Sequence, residues 1–297
     1  MPMVLADKTR LAYWVDAFAN EPFRGNAAVV VPHADGLTNA QMQDIAREVN
    51  CSETAFVLPP TVPDADFRLR WFTPTLEVDL CGHATIATLH ALCQAQLFAL
   101  HPGTTRQLSL ETRSGVLGVT VDYTQPRPWI WLTLPSCRFE AIAPDLTQQL
   151  VILLGLTYPD PSVSAVLDSH NRDVFIAAES LHQLQTLTPY LEPLKHFGLK
   201  QGWRGFCVYT RETVEPDNHA HSRFFAPQSG IDEDPVTGSM SGPLALLLQQ
   251  GNPAQNQWRF EQGDCLGRAG RVAIELQDNI PKLGGQAITV MRGELYL

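Results

Sequence analysis

The sequence has few charges, few basic residues, no closely spaced cysteine pair and no long apolar run, and each lack excludes something. Charged residues are 18% of the 297 and hydrophobic ones 44%. That excludes a disordered chain, in which charge outweighs hydrophobicity. Basic side chains number 21 against 31 acidic, a formal charge of −10, so nucleic acid is not an expected partner, because backbone binding needs a Lys/Arg excess. The longest apolar stretches, at 151–156 and 244–248, fall far short of the ~20 residues that cross a bilayer, and no membrane association is expected. Six cysteines, at positions 51, 81, 93, 137, 207 and 265, make no CxxC pair. They read as reduced cytoplasmic thiols and not as a disulfide frame or a zinc site. Residues 1–10 carry Asp7, Lys8 and Arg10 and lack the apolar centre of a signal peptide, which fits the same cytoplasmic expectation. GxxxxGK[ST], a strand-linked GxGxxG and GxSxG are also missing, leaving no support for nucleotide phosphates or a serine-hydrolase arrangement.

What is present is punctuation and period. The 22 prolines and 20 glycines are spread between short segments, with no low-complexity tract or long linker. Apolar patterning predicts strands at 12–18, 27–31, 54–58, 67–72, 107–112 and 116–122, with helices at 39–49 and 83–96. Thr38 and Gln41 have the spacing of a capping box before the first helix. The second half predicts strands at 129–134, 174–178, 206–210, 222–225, 258–262 and 271–276. Its helices are expected at 181–191 and 239–250, with an added one at 144–155.

That order repeats, and one stretch repeats in residues. Arg70-Trp71-Phe72-Thr73-Pro74 matches Arg223-Phe224-Phe225-Ala226-Pro227, and after each an acidic loop leads to a glycine opening a helix, Gly82-His83 and Gly238-Ser239. A repeat of half the chain argues for two similar domains and against a solenoid. Strands grouped with few helices favour an α+β fold over a doubly wound sheet.

At each repeated corner the first N–H groups of a helix point outward with partial positive charge. Small residues there (Gly82 and Ala84; Gly238, Ser239 and Ser241) let an anion such as a small carboxylate approach closely. The alternative is that each glycine only makes a tight turn. Ionisable residues crowd the same places: Glu77, Asp79, Cys81 and His83 in the first corner, Asp232, Glu233 and Asp234 in the second. The helix dipole accounts for one or two acids, but not for His83. Glu53 stands where a helix gives way to an apolar strand. Burial there is expected to raise its pKa towards a value useful for proton transfer at neutral pH; the alternative is an exposed glutamate at a strand edge. His219 with His221, and His83 with His90, have spacings of possible metal pairs but lack a third ligand, so no metal is expected. Trp71, Trp129, Trp131 and Trp203 read as core anchors.

Together these residues resemble the phenazine-biosynthesis PhzF-like family, within the diaminopimelate epimerase-like fold. The matching stretches are Val15-Asp16-Ala17-Phe18 with Phe23-Arg24-Gly25-Asn26-Ala27, Cys51-Ser52-Glu53-Thr54-Ala55-Phe56, Arg70-Trp71-Phe72-Thr73-Pro74, Cys81-Gly82-His83-Ala84-Thr85, Phe225-Ala226-Pro227 with Gly230-Ile231, Glu233-Asp234-Pro235-Val236-Thr237-Gly238-Ser239 and the closing Gly293-Glu294-Leu295. The resemblance implies two pseudo-symmetric domains, each a mixed β-sheet curled around a central helix. The first would span 1–125 and be joined by a last strand at 284–297; the second would span 126–283. It implies a site in the cleft between domains, no cofactor, a homodimer, and an isomerase acting on a small carboxylate-bearing substrate. Glu53 would be the general acid/base, His83 and Asp234 would orient and polarise the substrate, and Asn26, Gly82, Gly238 and Ser239 would bind it. Epimerases of this fold use two facing cysteines. Here Cys81 matches the first, while Pro235-Val236-Thr237 offers no second thiol, which disfavours two-thiol racemisation. The other readings are a one-base dehydratase or epimerase using Glu53 or Cys81, and a non-catalytic small-molecule binder.

Overall fold

The computed structural model describes residues 9–158 and 163–297; residues 1–8, which carry most of the signal-peptide reading, lie outside them. Two compact units share the chain. The first runs through Leu132 and takes back Gly285–Leu297, and the second is Thr133–Gly284.

The first unit comprises β1 (Thr9–Ala17), β2 (Asn26–Val31), α1 (Asn39–Val49), β3 (Glu53–Leu58), β4 (Phe67–Phe72), β5 (Glu77–Val78), α2 (Gly82–Gln94), β6 (Thr105–Thr112), β7 (Gly115–Asp122) and β8 (Trp129–Thr133). The second comprises β9 (Phe139–Ala141), α3 (Pro144–Leu154), β10 (Ala165–Asp168), β11 (Asp173–Ala177), α4 (Leu181–Thr186), α5 (Leu191–Gln201), β12 (Gly205–Thr210), β13 (Ala220–Ala226), β14 (Ile231–Asp234), α6 (Gly238–Gln249), β15 (Gln257–Gln262), β16 (Gly270–Gln277) and β17 (Ile280–Gly285). The last strand, β18 (Ala287–Tyr296), returns to the first unit and pairs antiparallel with β1 from Thr9↔Tyr296 to Ala17↔Ala287.

The pairing order recurs between units. In the first, β2 and β3 are parallel, β3 and β4 antiparallel, β4 is antiparallel to β5 and parallel to β6, and β6 and β7 are antiparallel. In the second, the same sequence runs through β11, β12, β13, β14, β15 and β16. In each unit one helix is buried against the strands. Every residue of α2 from Gly82 to Cys93 is buried, so its apolar and small residues face sheet on all sides. Its two buried threonines satisfy their hydroxyls on the carbonyl one turn back, Thr85 Oγ1 on Cys81 O at 2.7 Å and Thr88 Oγ1 on Ala84 O at 2.6 Å, a habit of Ser and Thr inside helices. Burial lowers the His90 pKa to about 4 and Arg127 pushes the same way, so α2 carries this ring neutral. In the second unit α6 takes the enclosed place, with Met240 to Leu246 all buried. Among the described residues no helix is long and apolar enough to cross a membrane.

Two expectations are corrected. The strand expected at 129–134 is β8, which pairs antiparallel with β7 from Val119↔Leu132 to Asp122↔Trp129, and the two compact units divide at 132/133, seven residues beyond the expected 125/126. The helix at 181–191 is two helices, α4 ending at Thr186 and α5 starting at Leu191. Pro189 explains the gap, since a proline disfavours helical backbone in the residue before it. Periodicity also passes over β5, β9, β10 and β14, which at two to four residues are too short to show a period, and over the six-residue β17, where Pro281 and the Gly284-Gly285 pair break the alternation.

Candidate functional site

In the first unit three segments converge on His83. The β1–β2 connection delivers Asn26. Asp16, buried at the end of β1, accepts the Phe23 N–H at 2.7 Å. Gly25 has φ +62°, and a Cβ there would stand 2.0 Å from the Ala17 carbonyl oxygen, so only glycine can turn the chain into β2 at this point. The α1–β3 junction delivers Ser52 and Glu53. Asn50 ends α1 in the left-handed conformation at φ 50°, and parallel pairing sets Glu53 beside Ala28. The start of α2 delivers Cys81, Gly82 and His83.

The contacts are short. Glu53 Oε2 lies 3.0 Å from His83 Nε2, with side chains 12% and 9% exposed. Ser52 Oγ also meets Nε2, at 3.3 Å, and donates to Ala27 O at 2.9 Å. On the other edge of the ring, Nδ1 meets Cys81 Sγ at 3.4 Å and Asn26 Nδ2 at 3.5 Å. Despite its ion-pair contact, Glu53 Oε2 is buried and accepts no hydrogen bond among the described residues. An unsatisfied buried acceptor costs about 1–3 kcal/mol, more when charged, so this atom is poised for a donor brought from outside.

The charge state corrects the sequence expectation for Glu53. Burial does push its carboxyl upward and is the largest single influence, but the His83 charge, with the polar groups of His83, Ser52 and Cys81 close by, holds it below its ordinary value of 4.5. Burial alone depresses the His83 imidazole, yet the charge and hydrogen bond of Glu53 on one side and hydrogen bonding to Cys81 on the other raise it well above 6.5. Cys81 is raised above 9.0 by burial and by the Glu53 carboxylate, so it stays a thiol. The resting dyad is thus a carboxylate facing an imidazolium. A neighbouring positive charge outweighs burial once it is this close.

A pH dependence follows. The raised His83 pKa contributes stability that is complete below its ordinary 6.5 and is lost as pH rises through the elevated value. The lowered Glu53 pKa contributes stability that is complete above 4.5 and is lost as pH falls through the depressed value. Both contribute fully between 4.5 and 6.5. Urea unfolding across pH is expected to show stability declining on the alkaline side, with His83→Gln flattening that decline. The same alkaline slope in the variant would contradict the ion pair.

The repeated corner has a structural cause. Arg70 makes a two-pronged ion pair with Glu77 at 2.7 Å for both bonds, and its guanidinium lies 5.1 Å from the Phe72 ring centre. Arg223 does the same with Glu233, both bonds 2.8 Å, over Phe225 at 5.1 Å. Asp79 pairs with Arg113 at 3.1 Å. Glu77, Glu233 and Asp79 therefore clamp the loops that lead into α2 and α6; they do not supplement the dyad.

In the second unit Gly238 opens α6, with Ser239 in its first turn. Asp234 Oδ2 accepts the Thr237 hydroxyl at 2.5 Å, and the buried Gln262 bridges Asp234 O at 2.8 Å and Thr237 N at 3.0 Å. Asp234, Gly238 and Ser239 are thus neighbours along one turn, as Asn26, Glu53, Gly82 and His83 are neighbours in the first unit. Sequence reasoning missed the residues that surround Ser239: Arg204 reaches its hydroxyl from both Nη atoms at 3.2 Å, and Asn171 Nδ2 reaches its carbonyl at 3.2 Å. The one available signal is the acid-bracketed turn Asp168-Ser169-His170-Asn171-Arg172-Asp173.

The histidines weighed as metal ligands have other partners. His221 Nδ1 bonds the buried Glu261 at 2.8 Å, and His219 Nδ1 accepts the Arg259 N–H at 3.0 Å beside Trp258. Among the described residues the group with three metal-capable side chains is Glu53, Cys81 and His83. Glu53 and Cys81 meet opposite nitrogens of one ring, which suits a hydrogen-bonded relay.

Comparison with known proteins places the chain in a family. The family described as phenazine biosynthesis-like protein matches residues 15–293. A relative from Salmonella typhimurium, named the uncharacterized isomerase YddE, is 36% identical over 296 residues, covering 95% of this chain and 97% of the relative. The crystal structure of a PhzF-family phenazine biosynthesis protein from Bacillus anthracis matches with a TM-score of 0.87 and 30% identity, over 98% of this chain and 100% of that one. A hydroxyproline epimerase from Agrobacterium vitis, solved with trans-4-OH-L-proline, shares the fold at a TM-score of 0.64 and 14% identity, over 98% of this chain and 94% of that one.

Proposed function

Because the chain belongs to the phenazine biosynthesis-like protein family, we propose that it is an isomerase that moves a proton within a small carboxylate-bearing substrate, with Glu53 as general acid/base. The observation that carries this reading is the buried Glu53 Oε2, 3.0 Å from His83 Nε2 and without a hydrogen-bond donor of its own. As a carboxylate it is a base from the outset. It takes a proton from a substrate atom made acidic by an adjacent carbonyl or conjugated group, becomes a neutral acid, and returns the proton to another atom of the same molecule. The His83 imidazolium and the free N–H groups at the start of α2 stabilise the negative charge that develops between these steps. Ser52, whose hydroxyl oxygen accepts from Nε2 at 3.3 Å, holds the ring in register, and Asn26 binds substrate beside it. Asp234, Gly238 and Ser239 are the further residues proposed to bind substrate.

The proton that leaves is returned and no electrons change hands, so the reaction balances without a cofactor. Turnover that survives exhaustive dialysis against EDTA is the expected result; loss restored by a divalent cation would contradict it. The reading itself is tested by solvent-deuterium incorporation into a panel of cyclic and amino-acid carboxylates, followed by mass spectrometry. Exchange that depends on Glu53 supports the isomerase. Exchange that survives Glu53→Gln but not Cys81→Ser would move the base to Cys81, whose Sγ stands 3.4 Å from the same imidazole. Binding with neither deuterium exchange nor a new isomer of the ligand would leave a non-catalytic binder.

A further inference from the structure

We propose that Arg204 is a positioning residue that fixes the Ser239 hydroxyl as a hydrogen-bond donor to a substrate carboxylate. The inference deepens the isomerase reading and rests on it for the substrate class.

Arg204 stands immediately before β12, and its guanidinium is immobilised on three sides. Nε donates to Asp173 Oδ1 at 2.9 Å, Nη2 pairs with Asp173 Oδ2, and the plane lies 5.7 Å from the centre of the Phe224 ring. The edge that remains faces Ser239, where Nη1 and Nη2 both lie 3.2 Å from Oγ. A guanidinium has donors and no acceptor. Ser239 Oγ is therefore the acceptor of this contact, and its single hydrogen points away from Arg204. The result is a hydroxyl of fixed sense, polarised by an adjacent positive charge and placed in the first turn of a helix, where the dipole also favours an anion.

The backbone of the same residue is held by the same turn. Pro243 lies within α6 and has no N–H to give the Ser239 carbonyl one turn back. Asn171 Nδ2 takes that place at 3.2 Å. Asn171 and Asp173 are set by Asp168, whose carboxylate accepts the N–H groups of His170 at 2.9 Å, Asn171 at 2.7 Å and Asp173 at 3.0 Å. Asp168 and Asp173 are both fully buried. Burying charge contributes little net stability, so its presence is better explained by the geometry it specifies. Here that geometry converges on one hydroxyl.

Isothermal titration with benzoate, pyrrole-2-carboxylate and trans-4-hydroxy-L-proline, each against its carboxamide, tests the inference in a double-mutant cycle. The intact protein is expected to hold at least one carboxylate about tenfold more tightly than its amide, as a hydrogen bond to a charged acceptor predicts. Ser239→Ala and Arg204→Lys should each remove most of that preference, and the double variant should lose no more than Ser239→Ala alone. Additive losses, an Arg204→Lys protein that binds as wild type, or a wild type that does not tell carboxylate from amide would each overturn it. Should Arg204→Lys fail to fold, Asp173→Asn takes its place, loosening the guanidinium without removing it, and additivity with Ser239→Ala is again the contrary result. Deuterium exchange that persists in both Glu53→Gln and Cys81→Ser would refute the acid/base reading of the dyad and leave these binding results standing, so the two failures are distinguishable.

Discussion

Glu53→Gln is expected to abolish measurable deuterium exchange, a loss of roughly 10²–10⁴-fold if exchange depends on this one acid/base group. The substitution keeps the shape of the side chain and its seat at the start of β3, paired with Ala28. It removes the atom that accepts and returns the proton. It also removes the negative charge 3.0 Å from His83 Nε2, so the imidazole, otherwise depressed by burial, loses part of what holds it protonated. The variant should therefore fold, with a weaker alkaline decline in stability than wild type, and be inert. A folded Glu53→Gln protein that exchanges at more than about a tenth of the wild-type rate would be inconsistent with a general-base role worth this much. Melting curves recorded alongside exchange separate an inert protein from an unfolded one.

Arg223→Met should cost about 3–5 kcal/mol of stability, the usual result of stranding one partner of a buried ion pair. Arg223 holds more than Glu233. Its Nη1 also donates to the Leu184 and Leu187 carbonyls at 3.0 and 2.7 Å, the end of α4 where the chain turns at Pro189. Truncation leaves one carboxylate and two carbonyls short of a donor within a cluster that includes Leu184, Leu187 and Phe225. Each kcal/mol corresponds to about 2–4 °C in a domain of this size, so calorimetry should find the second unit's transition lowered by roughly 6–20 °C. Arg68→Met is the control. Its pair with Glu111 is 3.5 Å long and its side chain 34% exposed, a setting worth about 0–1 kcal/mol. Equal losses in the two variants would contradict the view of the repeated arginine as a clamp.

Much of this architecture can be read along the chain, for identifiable reasons. The first helix and its capping box stand where Thr38 and Gln41 place them, with Gln41 N donating to Thr38 Oγ1 at 3.2 Å. The enclosed helices begin at Gly82 and Gly238 because each follows a glycine-marked corner. Arg70 and Arg223 betray the internal repeat because an arginine clamp needs the same strand, aromatic and acid in both copies. Long, locally encoded features are therefore legible. Features that arise from register are not. The Glu53 pKa takes its direction from His83, 30 positions away in β-sheet and helix packing that no local pattern discloses, and burial alone points the opposite way. Arg204 meets Ser239 and Asp173 only because β11 and β12 run parallel with Asp173 beside Gly205. The α4–α5 break shows the converse case, in which apolar periodicity runs on through a proline that the backbone cannot.

The proline inside α6 has a consequence for how the molecule reaches its native state. A helix whose first turn lacks a backbone donor is not a self-sufficient element, and Asn171 supplies the replacement from a different hairpin. Residues 238–250 excised as a peptide lack that side chain altogether. In the intact chain the first turn of α6 is therefore tertiary structure in the guise of secondary structure. It is complete only with the β10–β11 turn in place, where Asn171 bonds the Ser239 carbonyl.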